Sequence, residues 1–178
     1  MKMISLIPGK INRAEQGKAY DRYHKVLYYT SLRIVNNSFD AEEVMHDTLL
    51  RYFDRSNQFG NETEALRWMK RVCINLSIDI VRKRTKERAR LENWDNQFPE
   101  YDEEKNDELE FNGITAGMIK DALSQLADGY RIVLTLFLFE GYDYEEISSI
   151  LGINQVSVRS QYKRGKASLL KTLGIKEK

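Results

Sequence analysis

Apolar residues recur at steps of three and four through two separate blocks of this chain, and the stretch Glu92–Asn112 interrupts them. That spacing matches one face of an α-helix, and no long apolar–polar alternation of strand type competes with it. The interruption reads ENWDNQFPEYDEEKNDELEFN, with one proline, four asparagines, nine acidic residues and a single lysine. Dense like charge without apolar periodicity cannot bury a core, so this segment reads as a solvated tether. The expected fold is all-α: two small helical domains, residues 1–91 and 113–178, joined by an acidic flexible linker, residues 92–112. A chain of 178 residues with only two prolines and ten glycines agrees with that.

In the first block the spacing predicts a helix over Asn12–Val35, with Tyr20, Tyr23, Leu27, Thr30 and Ile34 facing inward and a stop at Asn36-Asn37. A second helix is expected to open at Asp40, whose carboxylate can cap the first turn while Glu43 reaches back. Its inner stripe is Ala41, Val44, Met45, Thr48, Leu49, Tyr52 and Phe53. A third should run from about Thr63 to Arg90, with Leu66, Trp68, Met69, Val72, Cys73, Leu76 and Ile80 inward. Each stripe buries best against the other two, which makes a three-helix bundle.

The second block predicts helices over Met118–Leu126, Gly129–Phe139 and Asp143–Leu151. Asp143 with Glu146 caps the third of these, and Gly152 stands where a helix end favours a left-handed residue. Asn154 can then cap a last helix reaching about Leu173. A short capped helix, a glycine turn and a second capped helix have the spacing of a helix-turn-helix. On the last helix Val158, Tyr162, Gly165 and Leu169 share the inner face, while Ser157, Arg159, Ser160, Lys163 and Arg164 share the outer one. From Asn154 through Ile175 there is no acidic residue. Such a face suits the major groove, where arginine and lysine pair with guanine or phosphate. An ordinary helical hairpin with a solvated basic face is the blander reading.

The net charge of +1 hides a segregation of sign. Residues 1–91 carry eighteen basic against eleven acidic residues, a net of +7. Residues 92–112 carry a net of −8, and residues 113–178 a net of +2. Parts of the chain, not the whole, are therefore suited to nucleic acid. Arg82–Arg90 is basic at six of nine positions, which fits either nucleic-acid contact or a solvated helix end favoured by the helix dipole. Its approach places Asn75 and Asp79 one turn apart beside Arg71 and Arg82, a donor-and-acceptor surface that can read bases. Lys83 and Arg84 extend the basic end. By contrast, Asp40–Phe53 is an acidic helix in a basic block. Acid repels DNA, so its solvated face suits a protein partner if it binds anything.

Other classes fit poorly. His24 and His46 are the only histidines, Cys73 lies on an inner face, and no phosphate loop or metal-ligand spacing occurs, which disfavours an enzyme and calls for no cofactor or metal. The lone Cys73 leaves no internal disulfide or cysteine-cluster zinc site and fits a reducing cytoplasm. The longest apolar runs, such as Ile132–Phe139, are too short to span a bilayer, and the start has no signal-peptide core. The expected location is cytoplasmic. A free-standing helix-turn-helix regulator would normally dimerise, but no sustained heptads appear, and the acidic helix would go unexplained.

In order and content these motifs resemble the extracytoplasmic-function sigma factors of bacterial RNA polymerase. That family's second helix runs acidic-Ala-Glu-acidic, two apolar residues, Gln-Glu, an apolar pair, then a basic residue before an aromatic; this chain has DAEEVMHDTLLRYF at Asp40–Phe53. The family's third helix runs Trp-Leu, Arg-apolar-Ala, Asn-Leu, Ile-Asp and a basic cluster; here WMKRVCINLSIDIVRKR stands at Trp68–Arg84. The last-domain pattern is matched by LADGYRIVLTLFLFEGYDYEEISSILGI at Leu126–Ile153. Departures are His46 for the usual glutamine, Ala127 for a proline, Gly165 for an alanine, and Ile74 at a position often polar or basic. The resemblance implies a transcription initiation factor that binds RNA polymerase core enzyme, promoter DNA and an anti-sigma factor. It implies docking on polymerase through Glu42, Glu43, Asp47 and Arg51. It also implies minus-ten reading by the loop Asp54–Glu62 with Arg71, Asn75, Asp79 and Arg82, and minus-thirty-five reading by the helix-turn-helix. The acidic linker would follow the polymerase's RNA exit path.

Overall fold

A computed structural model describes residues 12–91 and 115–175. The acidic segment 92–112 lies outside the described residues. Every regular element among them is helical: α1 (Arg13–Val35), α2 (Ser38–Phe53), a short 3-10 turn (Ser56–Gln58), α3 (Glu62–Leu91), α4 (Ala116–Ser124), α5 (Asp128–Leu134), α6 (Tyr144–Leu151) and α7 (Gln155–Thr172). The chain divides into two compact units, residues 1–80 and 81–178.

Local chemistry sets the ends of α1 and α2. Asn12 accepts from the Glu15 backbone N–H, and Glu15 accepts from that of Asn12, each at 3.0 Å, a reciprocal capping box. Asn36 closes α1 in the left-handed region at φ 52°, a conformation asparagine tolerates. The next residue, Asn37, is extended and accepts from the Asp40 N–H at 3.1 Å. So Asn37 is the cap and α2 opens at Ser38, not at the expected Asp40. The physical reason is that one left-handed residue already reverses the chain, which lets the adjacent amide cap immediately. Asp40 instead sits in the first turn, where its charge favours the helix dipole.

The core of the first unit joins all three helices through Tyr23 and Leu27, Val44, Met45 and Leu49, and Ala65, Met69 and Cys73. Burying each large apolar side chain contributes roughly 1.5–3 kcal/mol before entropy is counted. The predicted α2 stripe is buried at Ala41, Val44, Met45, Thr48 and Leu49, with Tyr52 and Phe53 half-buried. Two buried polar links lie inside: the Cys73 thiol donates to the Leu27 carbonyl at 3.3 Å, and the Ser77 and Ser31 hydroxyls bond at 2.9 Å. Tyr20, expected inside, is 38% exposed and stacks on His24 at 4.8 Å.

In the second unit α7 packs on α5 and α6, with a core of Ala122, Leu123, Leu126, Leu134 and Leu169. The expected helix Gly129–Phe139 is α5 followed by a π turn over Thr135–Phe139. Arg131 is buried, donating to the Leu126 carbonyl at 2.9 Å and to the Asp128 carboxylate. Gly165 is buried where α7 crosses α5, and a Cβ there would lie 3.1 Å from Tyr130 Cβ and 3.2 Å from Leu134 Cδ1. The missing side chain is what lets the two helices approach this closely.

Candidate nucleic-acid and protein interfaces

The helix-turn-helix takes shape from its caps. Asp143 and Glu146 form a reciprocal capping box at 2.8 and 3.0 Å, which starts α6. Gly152 ends it at φ 64°, in the left-handed region. The Ser148 hydroxyl donates to the Ile153 carbonyl at 2.6 Å, pinning the turn. Asn154 then accepts from the Ser157 N–H at 2.7 Å and starts α7. Ile147 and Val158 are fully buried on either side of the turn, which fixes how α7 is presented.

On α7 the inward residues are Val158, Gly165 and Leu169, with Tyr162 half-buried. Arg159 and Lys163 are exposed, and Ser157, Ser160 and Arg164 are half-exposed. The Arg159 guanidinium lies 5.8 Å from the centre of the Tyr144 ring, a cation–π contact that holds it at the start of the helix. Tyr144 in turn packs against Phe137 at 5.0 Å and Tyr162 at 5.6 Å. Burial pushes the Tyr144 phenol above its ordinary 10.0; the neighbouring Tyr162 adds to this and Arg159 opposes it. Burial likewise raises Tyr162. Both phenols stay neutral at physiological pH, so the platform under Arg159 carries no competing anion.

The second basic surface is the outer side of α3. Arg71, Asn75, Asp79, Arg82 and Lys83 are exposed along it, and Arg84 is half-exposed. Ile74 and Ile78 point the other way and are buried. Arg82 donates to the Leu151 carbonyl at 2.8 Å, a bond that contact with another molecule would have to replace. Before α3, Asn61 accepts from the Glu64 N–H at 2.9 Å, and Glu64 accepts from that of Gly60 at 2.9 Å. Phe59 packs between Tyr52 at 5.9 Å and Trp68 at 5.3 Å, while Arg55 lies over Trp68 at 5.8 Å. Arg22 of α1 forms an ion pair with Glu62 at the start of α3. Trp68, expected in the core, is half-buried: it packs against the edge of the first unit's core and also supports this loop.

The acidic face of α2 is wholly exposed at Glu42, Glu43, His46, Asp47 and Arg51. Two apolar residues that charge patterning does not single out flank it. Phe39 is 73% exposed and Leu50 59% exposed, on the same side as the carboxylates. Large apolar groups beside charge mark a protein-contact surface more specifically than charge alone. The signal was present, because both residues fall off the buried stripe of α2. Among the described residues no cluster of histidine, cysteine and carboxylate groups could hold a metal, and no helix is long and apolar enough to cross a membrane.

These features define a helical protein with a capped helix-turn-helix and a three-helix bundle. Residues 19–87 match the family model for Sigma-70 region 2, and residues 116–169 match that for Sigma-70 region 4. The chain is 34% identical over 155 residues to the ECF RNA polymerase sigma factor SigE of Mycolicibacterium smegmatis, covering 84% of this chain but only 56% of that protein. It is 29% identical over 146 residues to the ECF RNA polymerase sigma factor SigL of Mycobacterium tuberculosis, covering 80% of this chain and 79% of SigL. The fold is similar to that of the sigma factor RpoE from Bartonella quintana, solved with the anti-sigma factor NepR, at a TM-score of 0.58 and 17% identity over 92% of this chain and 99% of that one. The chain belongs to the ECF RNA polymerase sigma factors.

Proposed function

We propose that this protein binds RNA polymerase core enzyme in the cytoplasm, brings it to particular promoters and promotes opening of the DNA. It acts by binding, not as an enzyme. The observation that carries this reading is the segregation of surface chemistry: carboxylates with exposed Phe39 and Leu50 on α2, and basic outer faces on α3 and α7. The first repels a polyanion and suits a protein; the other two attract it. Residues 1–91 dock on polymerase through Glu42, Glu43, Asp47 and Arg51. They read the minus-ten element through Arg71, Asn75, Asp79, Arg82, Lys83 and Arg84. Residues 113–178 read the minus-thirty-five element through Ser157, Arg159, Ser160, Lys163 and Arg164, with residues 92–112 as the connection. An anti-sigma factor is the expected regulator, since the RpoE whose fold this chain shares was solved with one.

The test of docking is charge reversal. Glu43 and Asp47 are exposed and outside the core, so Glu43→Lys with Asp47→Lys should leave helix content intact. Like-charge contacts at an interface are strongly unfavourable, so affinity for core polymerase should fall at least about tenfold. Co-elution of the double variant with core at wild-type affinity would refute the assignment.

A further inference from the structure

We infer that Val156 is a specificity-determining residue of the helix-turn-helix, and that it reads the 5-methyl group of a thymine in the upstream promoter element. The inference rests on the reading of α7 as the DNA-reading helix and adds to it a residue outside the basic set. Val156 is the second residue of α7, and at 73% exposure it has almost no apolar cover. Two residues on, Val158 is completely buried, so the helix turns the two valines to opposite sides. Val156 therefore shares its side with Arg159 three residues later and Ser160 four later.

An exposed β-branched residue gains little for a solvated helix, because it loses side-chain freedom and covers nothing. Here it stands in the capped first turn, the part of a recognition helix that contacts base edges. Its surroundings are basic, with no acidic residue from Asn154 through Ile175, so the matching occupant is a polyanion and not an apolar peptide. Of the groups on the major-groove edges of the four base pairs, the thymine methyl is the apolar one that a valine can pack against. Arg159, three residues on, is placed to hydrogen-bond an adjacent base or phosphate while Val156 covers that methyl.

The experiment uses holoenzyme reconstituted from core polymerase and the full chain. The preferred upstream element is first selected from a randomised library, and each thymine in it is then replaced singly by deoxyuridine. That change removes the methyl and keeps every hydrogen-bonding group. At one position wild-type binding should fall about three- to fivefold, the effect of uncovering one methyl. Val156→Ala should bind the thymine duplex more weakly by a similar factor and be indifferent to deoxyuridine at that position. Val156→Ala weakening all duplexes alike, including those with deoxyuridine, would overturn the inference and point to a protein contact or a packing role. So would the absence of any deoxyuridine-sensitive position. If Arg159→Ala still alters upstream preference in either case, the reading of α7 stands and only the role of Val156 fails. If Arg159→Ala also changes nothing, the reading of α7 has failed.

Discussion

Two glycines inside helices should respond to alanine with opposite sign. Gly17 in α1 is exposed, and a Cβ there would meet nothing within 4 Å. Gly17→Ala should gain the full propensity difference, about 1 kcal/mol. Gly165→Ala in α7 gains the same amount but places a methyl 3.1 Å from Tyr130 Cβ, 3.2 Å from Leu134 Cδ1 and 3.3 Å from Leu134 Cγ. Neither neighbour can give way. A Cβ moves only with its backbone, and Leu134 is fully enclosed. The two helices must separate, and overpacking of this kind costs about 1–3 kcal/mol. The net for Gly165→Ala is a loss of about 0–2 kcal/mol, which is up to roughly thirtyfold in an opening equilibrium. Peptide-resolved amide exchange reads each site separately. Protection of the α1 peptides should rise about fivefold in Gly17→Ala, and that of the α5 and α7 peptides should fall in Gly165→Ala. A rise in α7 protection matching that at Gly17 would refute the claim that Gly165 marks a constrained crossing.

Three further outcomes are expected. Asp128→Ala removes the carboxylate to which the buried Arg131 guanidinium donates, so the second unit should lose about 1–3 kcal/mol by the same exchange measurement; no loss would mean that the pair adds nothing. Arg159→Ala should relax upstream preference at one position at a cost of about 1–3 kcal/mol, read by transcription from a library randomised at both promoter elements. In the same library Asn75→Ala should reduce strand opening on every promoter sharing a minus-ten element, and an effect of Arg159→Ala on downstream preference alone would reverse the two assignments.

Much of the fold was legible because caps are written in single residues. Asp143 with Glu146, Gly152 and Asn154 all do what their positions require. The start of α2 was misplaced because Asn37 and Asp40 are both competent caps, and only the left-handed backbone at Asn36 decides between them. The π turn was not legible, since Thr-Leu-Phe-Leu-Phe is apolar at nearly every step and offers no period by which to separate a wide turn from a regular one. Tyr20 and Trp68 were placed inside by spacing, yet both are amphipathic rings that settle at the rim, Tyr20 on His24 and Trp68 under Arg55. The basic and acidic faces were read from charge alone. Phe39, Leu50 and Val156 were passed over because an apolar residue is first assumed to be core, and only burial shows which ones are left uncovered.

Run-off transcription with purified core polymerase on fragmented genomic DNA, with and without this protein, tests promoter direction most directly. Discrete transcripts should appear only when the protein is added, start downstream of a shared pair of elements, and disappear with the Glu43→Lys, Asp47→Lys double variant. Start sites unchanged by the addition of the wild-type protein would contradict that role.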